Sequence, residues 1–223
     1  MTKRENSYTP EQLEKLLDTH LGTSLDTPLR TDAFDLSDKD RITQIAEKFS
    51  DIMNLLGLDL NDDSLKGTPL RVAKMYVNEA FSGLNPGNKP EIRLFENKYL
   101  YKEMLIEKNI KVHSHCEHHF VPIIGKCHVA YFPGDKVVGL SKLNRIVNYY
   151  SKRPQVQERL TRQIAEALME GLQTEHVAVY LEADHMCVKT RGIEDDQSST
   201  VTMAFHGNFN SDNVKRSFLE SFR

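Results

Sequence analysis

The 223-residue sequence contains no tryptophan and only three cysteines, Cys116, Cys127 and Cys187. Three thiols cannot all pair within one chain, and so sparse a set excludes a disulfide-stapled scaffold; metal binding or catalysis becomes the interesting use of a thiol. Long apolar runs are missing too. None approaches the roughly 18 residues of a membrane span, and the polar stretch Met1 to Pro10 offers no signal-peptide core. A cytoplasmic protein with no membrane partner is expected. Basic charge is not in excess: 29 Lys and Arg against 32 Asp and Glu give a formal net charge of -3, so a general nucleic-acid partner is not expected. Neither GxxxxGK[ST] nor GxGxxG occurs, so any nucleotide must be met by side-chain cations rather than by a glycine-rich backbone cradle. What is present is an ordinary globular composition, 39% hydrophobic, sufficient for a real core.

Thr9-Pro10-Glu11-Gln12 has the form of a capping box with proline at the first helical position, predicting a short helix to about His20, and residues 21–36 read as linker. From Ser37 the residues Ile42, Ile45, Ala46, Phe49, Ile52, Met53 and Leu56 recur at helical spacing before Gly57. Thr68-Pro69 predicts a further cap and helix start, closed by Gly83, with Arg71 and Lys74 on a common face. After the turn cluster Asn85 to Asn88 the pattern changes to strands mixed with helices, so a helical N-terminal third precedes an α+β body. Met104, Ile106, Ile110, Val112 and Cys116 share one parity, which predicts a strand delivering Cys116 at its tip. Lys126 to Phe132 and the row Val177, Val179, Leu181, Ala183, His185 and Cys187 read as two more strands. Helices are expected from near Ser141 and from Pro154 to Gln157, then a strand over Thr200 to Phe205 and a short helix from about Ser211.

Cys116-Glu117-His118-His119 compresses a thiol, a carboxylate and two imidazoles into four residues, with His113 and His115 just upstream. Thiolate and imidazole are the ligands zinc prefers. Cys116, His119 and Cys187 would make a Cys₂His set with a fourth position open for catalysis; alternatively His113, His115 or His185 would close a structural tetrahedron. Cys127 has no partner at ligand spacing and reads as a buried small hydrophobe. The cations available to an anionic ligand are Lys142 and Arg145, Arg191, and Arg71 with Lys74.

The blocks Cys116-Glu117-His118-His119-Phe120, Gly139-Leu140-Ser141-Lys142 with Arg145, Arg153 to Thr161, His185-Met186-Cys187 and Arg191-Gly192 resemble, in that order, the signature motifs of the GTP cyclohydrolase I family. The likeness runs from about Asp59 to the C-terminus. It implies a variable segment over residues 1–36, a helical part over 37–84 and a catalytic tunnelling-fold domain over 85–223. That fold pairs an antiparallel sheet with two packed helices and oligomerises into a β-barrel, here in a homodecamer of two pentamers with active sites at subunit interfaces. The resemblance further implies one zinc ion per subunit on Cys116, His119 and Cys187, with His118 and His185 as catalytic proton-transfer groups. Glu158 and Gln157 would hold the guanine, Ser141 would lie near the ribose, and Lys142, Arg145, Arg191, Arg71 and Lys74 would surround the triphosphate. The implied reaction opens the imidazole ring of GTP, releases formate and yields 7,8-dihydroneopterin triphosphate, the first step of tetrahydrofolate or pterin synthesis. Two rival expectations are a related pterin or deazapurine enzyme with a cysteine nucleophile, and a non-catalytic, zinc-stabilised GTP-binding module. Without the resemblance, Glu158 would be expected to pair with Arg162 one turn along its helix.

Overall fold

A computed structural model describes Thr9, Glu11, Gln12 and residues 24–222. The capping box is made as expected: Thr9 N donates to Gln12 Oε1 (2.8 Å) and Gln12 N to Thr9 Oγ1 (3.2 Å). The rest of that expected helix lies outside the described residues. Among them, no helix is long and apolar enough to cross a membrane.

Helix α1 spans Asp38–Leu55 because Ser37 caps it, its hydroxyl accepting from Asp40 N, and because Gly57 turns the chain away at φ 80°. Its apolar stripe is only partly covered. Met53 is buried, while Ile52 and Leu56 are 49% and 72% exposed. Helix α2 spans Thr68–Met75. Gly67, not Thr68, is its cap residue, so Thr68 already stands in the first turn and its hydroxyl accepts from Arg71. The helix widens into a π-turn over Tyr76–Ala80. Gly83 therefore does not close it. Gly83 instead lets the chain dock on the body: its N–H donates to Lys152 O (2.9 Å), and a Cβ would collide with Tyr149 O.

The body is a five-stranded sheet flanked by a two-stranded ribbon. The ribbon pairs β1 (Leu94–Glu96) with β4 (Lys136–Val138). The sheet contains β2 (Leu105–Cys116), β3 (Pro122–Tyr131), β5 (Pro154–Gln155), β6 (Val177–His185) and β7 (Thr200–Phe205), in spatial order β5-β2-β3-β6-β7. All pairings are antiparallel except the two-residue β5, which runs parallel to β2. Helices α3 (Leu140–Ser151) and α4 (Gln157–Leu172) cover one face, where Leu143, Ile146, Leu160, Ile164 and Leu168 meet Val177, Val179 and Leu181. Beyond the four-residue α5 (Met186–Lys189) and β7, helix α6 (Asp212–Glu220) covers part of the other face, where Phe209 and Phe218 pack on Ala130 and Ala178.

Two expectations about parity are corrected. A bulge between Glu107 and Ile110, with Asn109 at φ 59°, sets three steps of β2 against two of β3. One extra residue flips every side chain beyond it. Met104 and Ile106 consequently join the α6 cluster, whereas Ile110, Val112 and Cys116 enter the core under α3 and α4. Cys187 does not continue the strand row of β6, because the chain turns helical at Met186.

Candidate metal centre and its surroundings

Cys116 is the last residue of β2, and a tight loop returns the chain to β3. Cys116 N donates to Val121 O and Phe120 N to Cys116 O (both 2.8 Å), with Phe120 left-handed at φ 56°. The loop is tied from its side as well, since Glu117 N donates to Gln155 O (3.1 Å) in the strand beside β2. Across β3, His185 stands opposite Ile123 at the end of β6. The helical turn that follows then carries Cys187 back toward Cys116.

The result is a cluster in which ligand atoms of Cys116, His119 and Cys187 all lie within 4.8 Å of one another. Tetrahedral geometry with Zn–S near 2.3 Å and Zn–N near 2.0 Å requires an S···N separation of about 3.6 Å; Cys116 Sγ and His119 Nδ1 are 3.7 Å apart. The donor set fits a metal. The closed four-ligand alternative does not form among the described residues, because the group contains none of His113, His115 and His185. His115 meets Phe81 edge-on at 5.2 Å, and His185 is held by Gln157. Burial and the neighbouring Cys116 push the Cys187 thiol up to about 11, against the opposing charge of Arg191, so a metal must displace its proton. Cys127 is fully buried, its thiol strongly raised by desolvation, and inert.

Two more imidazoles sit on the segments that carry the cluster. His118 Nδ1 lies 3.8 Å from Cys116 Sγ, and its Nε2 is 3.7 Å from Glu117 Oε1. His185 Nε2 is 2.7 Å from Gln157 Oε1. The Gln157 amide nitrogen already donates to Leu181 O, Thr200 O and Thr202 Oγ1. Its Oε1 must therefore accept, which puts the His185 proton on Nε2 and leaves Nδ1 with a free lone pair. Burial holds His185 below the usual imidazole range, and the Glu158 and Asp184 carboxylates oppose that shift. Gln157 is thus fully engaged inside its own chain. Glu158 has no hydrogen bond or ion pair among the described residues; Arg162 pairs with Glu166 (2.6 Å) instead.

The cations divide into two groups. Arg191 belongs to the cluster, donating from its guanidinium to His119 Nε2 (2.8 Å). A guanidinium has no acceptor, so in this contact His119 carries its proton on Nδ1, and a metal at Nδ1 would displace Arg191. Lys142 and Arg145 sit on α3 with Ser141, and Arg145 lines a cavity with Asn78, Ser82, Asn148 and Lys152 that includes none of the three ligand residues. Arg71 is turned to Ser64 O and Thr68 Oγ1, and Lys74 is exposed on α2. One pair carried no role in the sequence reading. Arg159 and Glu117 form a bidentate ion pair (2.5 and 3.2 Å), with the Arg159 side chain 5% exposed. Opposite charges within two motif blocks were the available signal.

A sequence model described as GTP cyclohydrolase I matches residues 45–223. GTP cyclohydrolase 1 of Flavobacterium johnsoniae is 54% identical over 93% of this chain and 93% of that protein. GTP cyclohydrolase 1 of Erwinia tasmaniensis is 53% identical over 91% of this chain and 92% of its own. Among solved structures, an archaeosine synthase QueF-like enzyme aligns with 17% identity and a TM-score of 0.39 over 47% of this chain and 94% of that one, a likeness too slight to argue from. With its cysteine and histidine cluster assembled and relatives matched over nearly their full length, the chain belongs to the GTP cyclohydrolase I family.

Proposed function

We propose that this protein hydrolyses GTP to formate and 7,8-dihydroneopterin triphosphate. The observation that carries the reading is the Cys116, His119 and Cys187 donor set closing to within 4.8 Å, with His118 against Cys116 and His185 two residues before Cys187, in a chain of this family. Zinc, one ion per subunit on these three residues, would supply a Lewis acid that activates water for attack at the purine C8. Every other task falls to protein groups. His118 gives a proton to N7, which makes C8 electrophilic. Two waters enter at C8, whose carbon leaves as formate, and one water departs when the new ring closes. His185, neutral and with its Nδ1 lone pair free, takes and returns protons as the ribose opens and rearranges. The unpaired Glu158 carboxylate accepts guanine N1–H and the 2-amino group together. Gln157 acts beside it by holding His185 rather than by touching the base.

Phosphate recognition is assigned to Arg191 with Lys142, Arg145, Arg71 and Lys74, and the ribose to Ser141. The separation of Arg145 from the metal cluster supports an active site shared between subunits, in which one chain supplies the metal and a neighbour supplies α3. Two features favour self-association, which in this reading is a decamer of two pentamers. Strand β7 is an edge strand exposing Val201 and Met203, and α1 exposes Ile52, Leu55 and Leu56. Incubation of zinc-loaded protein with GTP, followed by formate and pterin-fluorescence assays, tests the reaction. Zinc-loaded protein that releases no formate from GTP overturns it.

A further inference from the structure

Segment Ser24–Thr27 carries no family motif and read as linker, yet it is wired to the metal-site loop along two routes. In the first, Arg159 Nε donates to Ser24 O (3.0 Å) while the other two guanidinium nitrogens grip Glu117. The Glu117 carboxylate lies between Arg159 and His118. In the second, Asp26 Oδ1 accepts from Gln163 Nε2 (2.5 Å), and Gln163 Oε1 accepts from Gln155 Nε2 (2.8 Å). The Gln155 carbonyl then accepts from Glu117 N. Gln155 and Gln163 are buried, and so is Thr27. Both routes end on the same residue, one at its side chain and one at its amide.

We propose that Ser24–Thr27 is a strap that positions the Glu117–His119 loop for catalysis, with Asp26 and Arg159 as positioning residues. The proposal rests on the functional reading above. A guanidinium that donates only to Glu117 is free to tilt about that bidentate contact; the third donor, held by a backbone carbonyl in the strap, fixes its plane and so the plane of the carboxylate beside His118. Asp26 fixes the strap. Its Oδ1 accepts from Thr27 N (2.8 Å), Gln163 and Arg153 (3.3 Å), although the side chain is 78% exposed.

That exposure makes Asp26 the suitable point of attack. Replacing Arg159 or Glu117 would strand a buried charge and confound positioning with folding. Arg153 survives loss of Asp26, because it also donates to Gly83 O and stacks over Tyr149 and Tyr150. The test compares full-length wild type, Asp26→Ala and Asp26→Asn, the last of which keeps an acceptor oxygen. The readouts are kcat and KM for GTP, bound zinc, Tm, and hydrogen exchange at the Glu117 amide. For Asp26→Ala, exchange at Glu117 should quicken and kcat should fall about tenfold, the scale expected of a slightly misplaced catalytic group. KM, zinc content and Tm should hold, and Asp26→Asn should recover most of kcat. Wild-type exchange at Glu117 in Asp26→Ala overturns the strap; faster exchange with unchanged kcat overturns its catalytic role. A kcat loss that tracks zinc or Tm reduces Asp26 to a stabilising contact and overturns the proposal as well. If even the wild type releases no formate, the functional reading fails instead, and exchange at Glu117 still judges the strap.

Discussion

At the scale of single residues, neighbouring imidazoles carry different assignments, and the difference is measurable. His118 and His119 both approach Cys116 Sγ, at 3.8 and 3.7 Å, but only His119 also reaches Cys187. Replacing Cys187 with serine should empty the site and abolish turnover, because it removes one of the three proposed ligands. His118→Ser should keep stoichiometric zinc and lose about a hundred- to ten-thousand-fold in kcat, the usual worth of general acid catalysis. Metal analysis beside steady-state rates separates the two; zinc loss in His118→Ser with retention in His119→Ser would exchange their roles. Glu158 offers a second test. Guanine presents two adjacent donors and inosine only one, so wild type should prefer GTP to ITP and Glu158→Gln should lose much of that preference. An unchanged ratio of binding constants would remove Glu158 from base recognition.

At the scale of elements, the far face of the sheet buries an imidazole whose protonation should oppose folding. His128 on β3 is buried, stacks on Phe222 with ring centroids 4.1 Å apart, and its buried Nδ1 has no hydrogen-bond partner among the described residues. Burial, with Lys126 and Lys108, depresses its proton affinity below the ordinary 6.5, and Glu182 only partly offsets them. The unfolded chain binds that proton more readily than the folded one, so stability present above about pH 6.5 is lost as pH falls. His128→Phe, which can keep the stacking, should flatten the decline in Tm between pH 7 and pH 5; an unaltered slope would clear His128 of the effect. Much of this level was legible in the sequence. The α1 apolar row before Gly57 and the strand row Val177 to His185 follow from local patterns. The bulge at Asn109 was not legible, because a single left-handed non-glycine residue leaves no periodic trace while reversing the faces of everything before it. The turn of Cys187 into a helix was hidden likewise, since residues spaced by two read as strand until the chain bends.

At the scale of the whole molecule, the proposed sharing of the site between chains can be tested by mixing variants. Arg145 lines a cavity that includes none of Cys116, His119 and Cys187. Arg145→Ala and Cys187→Ser homo-oligomers should therefore each be inactive, while oligomers reassembled from a mixture of the two should regain part of the wild-type rate. Formate release from the mixture is the measurement, and persistent inactivity with assembly intact would place each complete site within one subunit. The strap bears on a further matter, the order in which the chain is synthesised. Its partners lie far downstream: Ser24 and Arg159 are 135 positions apart, and Asp26 and Gln163 are 137. A ribosome releases Ser24–Thr27 long before α4 emerges, and closing so long a span is entropically late relative to local helices and hairpins. The nascent protein can thus acquire its β2–β3 hairpin, with Cys116 and both neighbouring histidines, before anything braces the loop between those strands. Competence for chemistry would wait on α4, when Ser24 and Asp26 meet partners made 135 and 137 positions later.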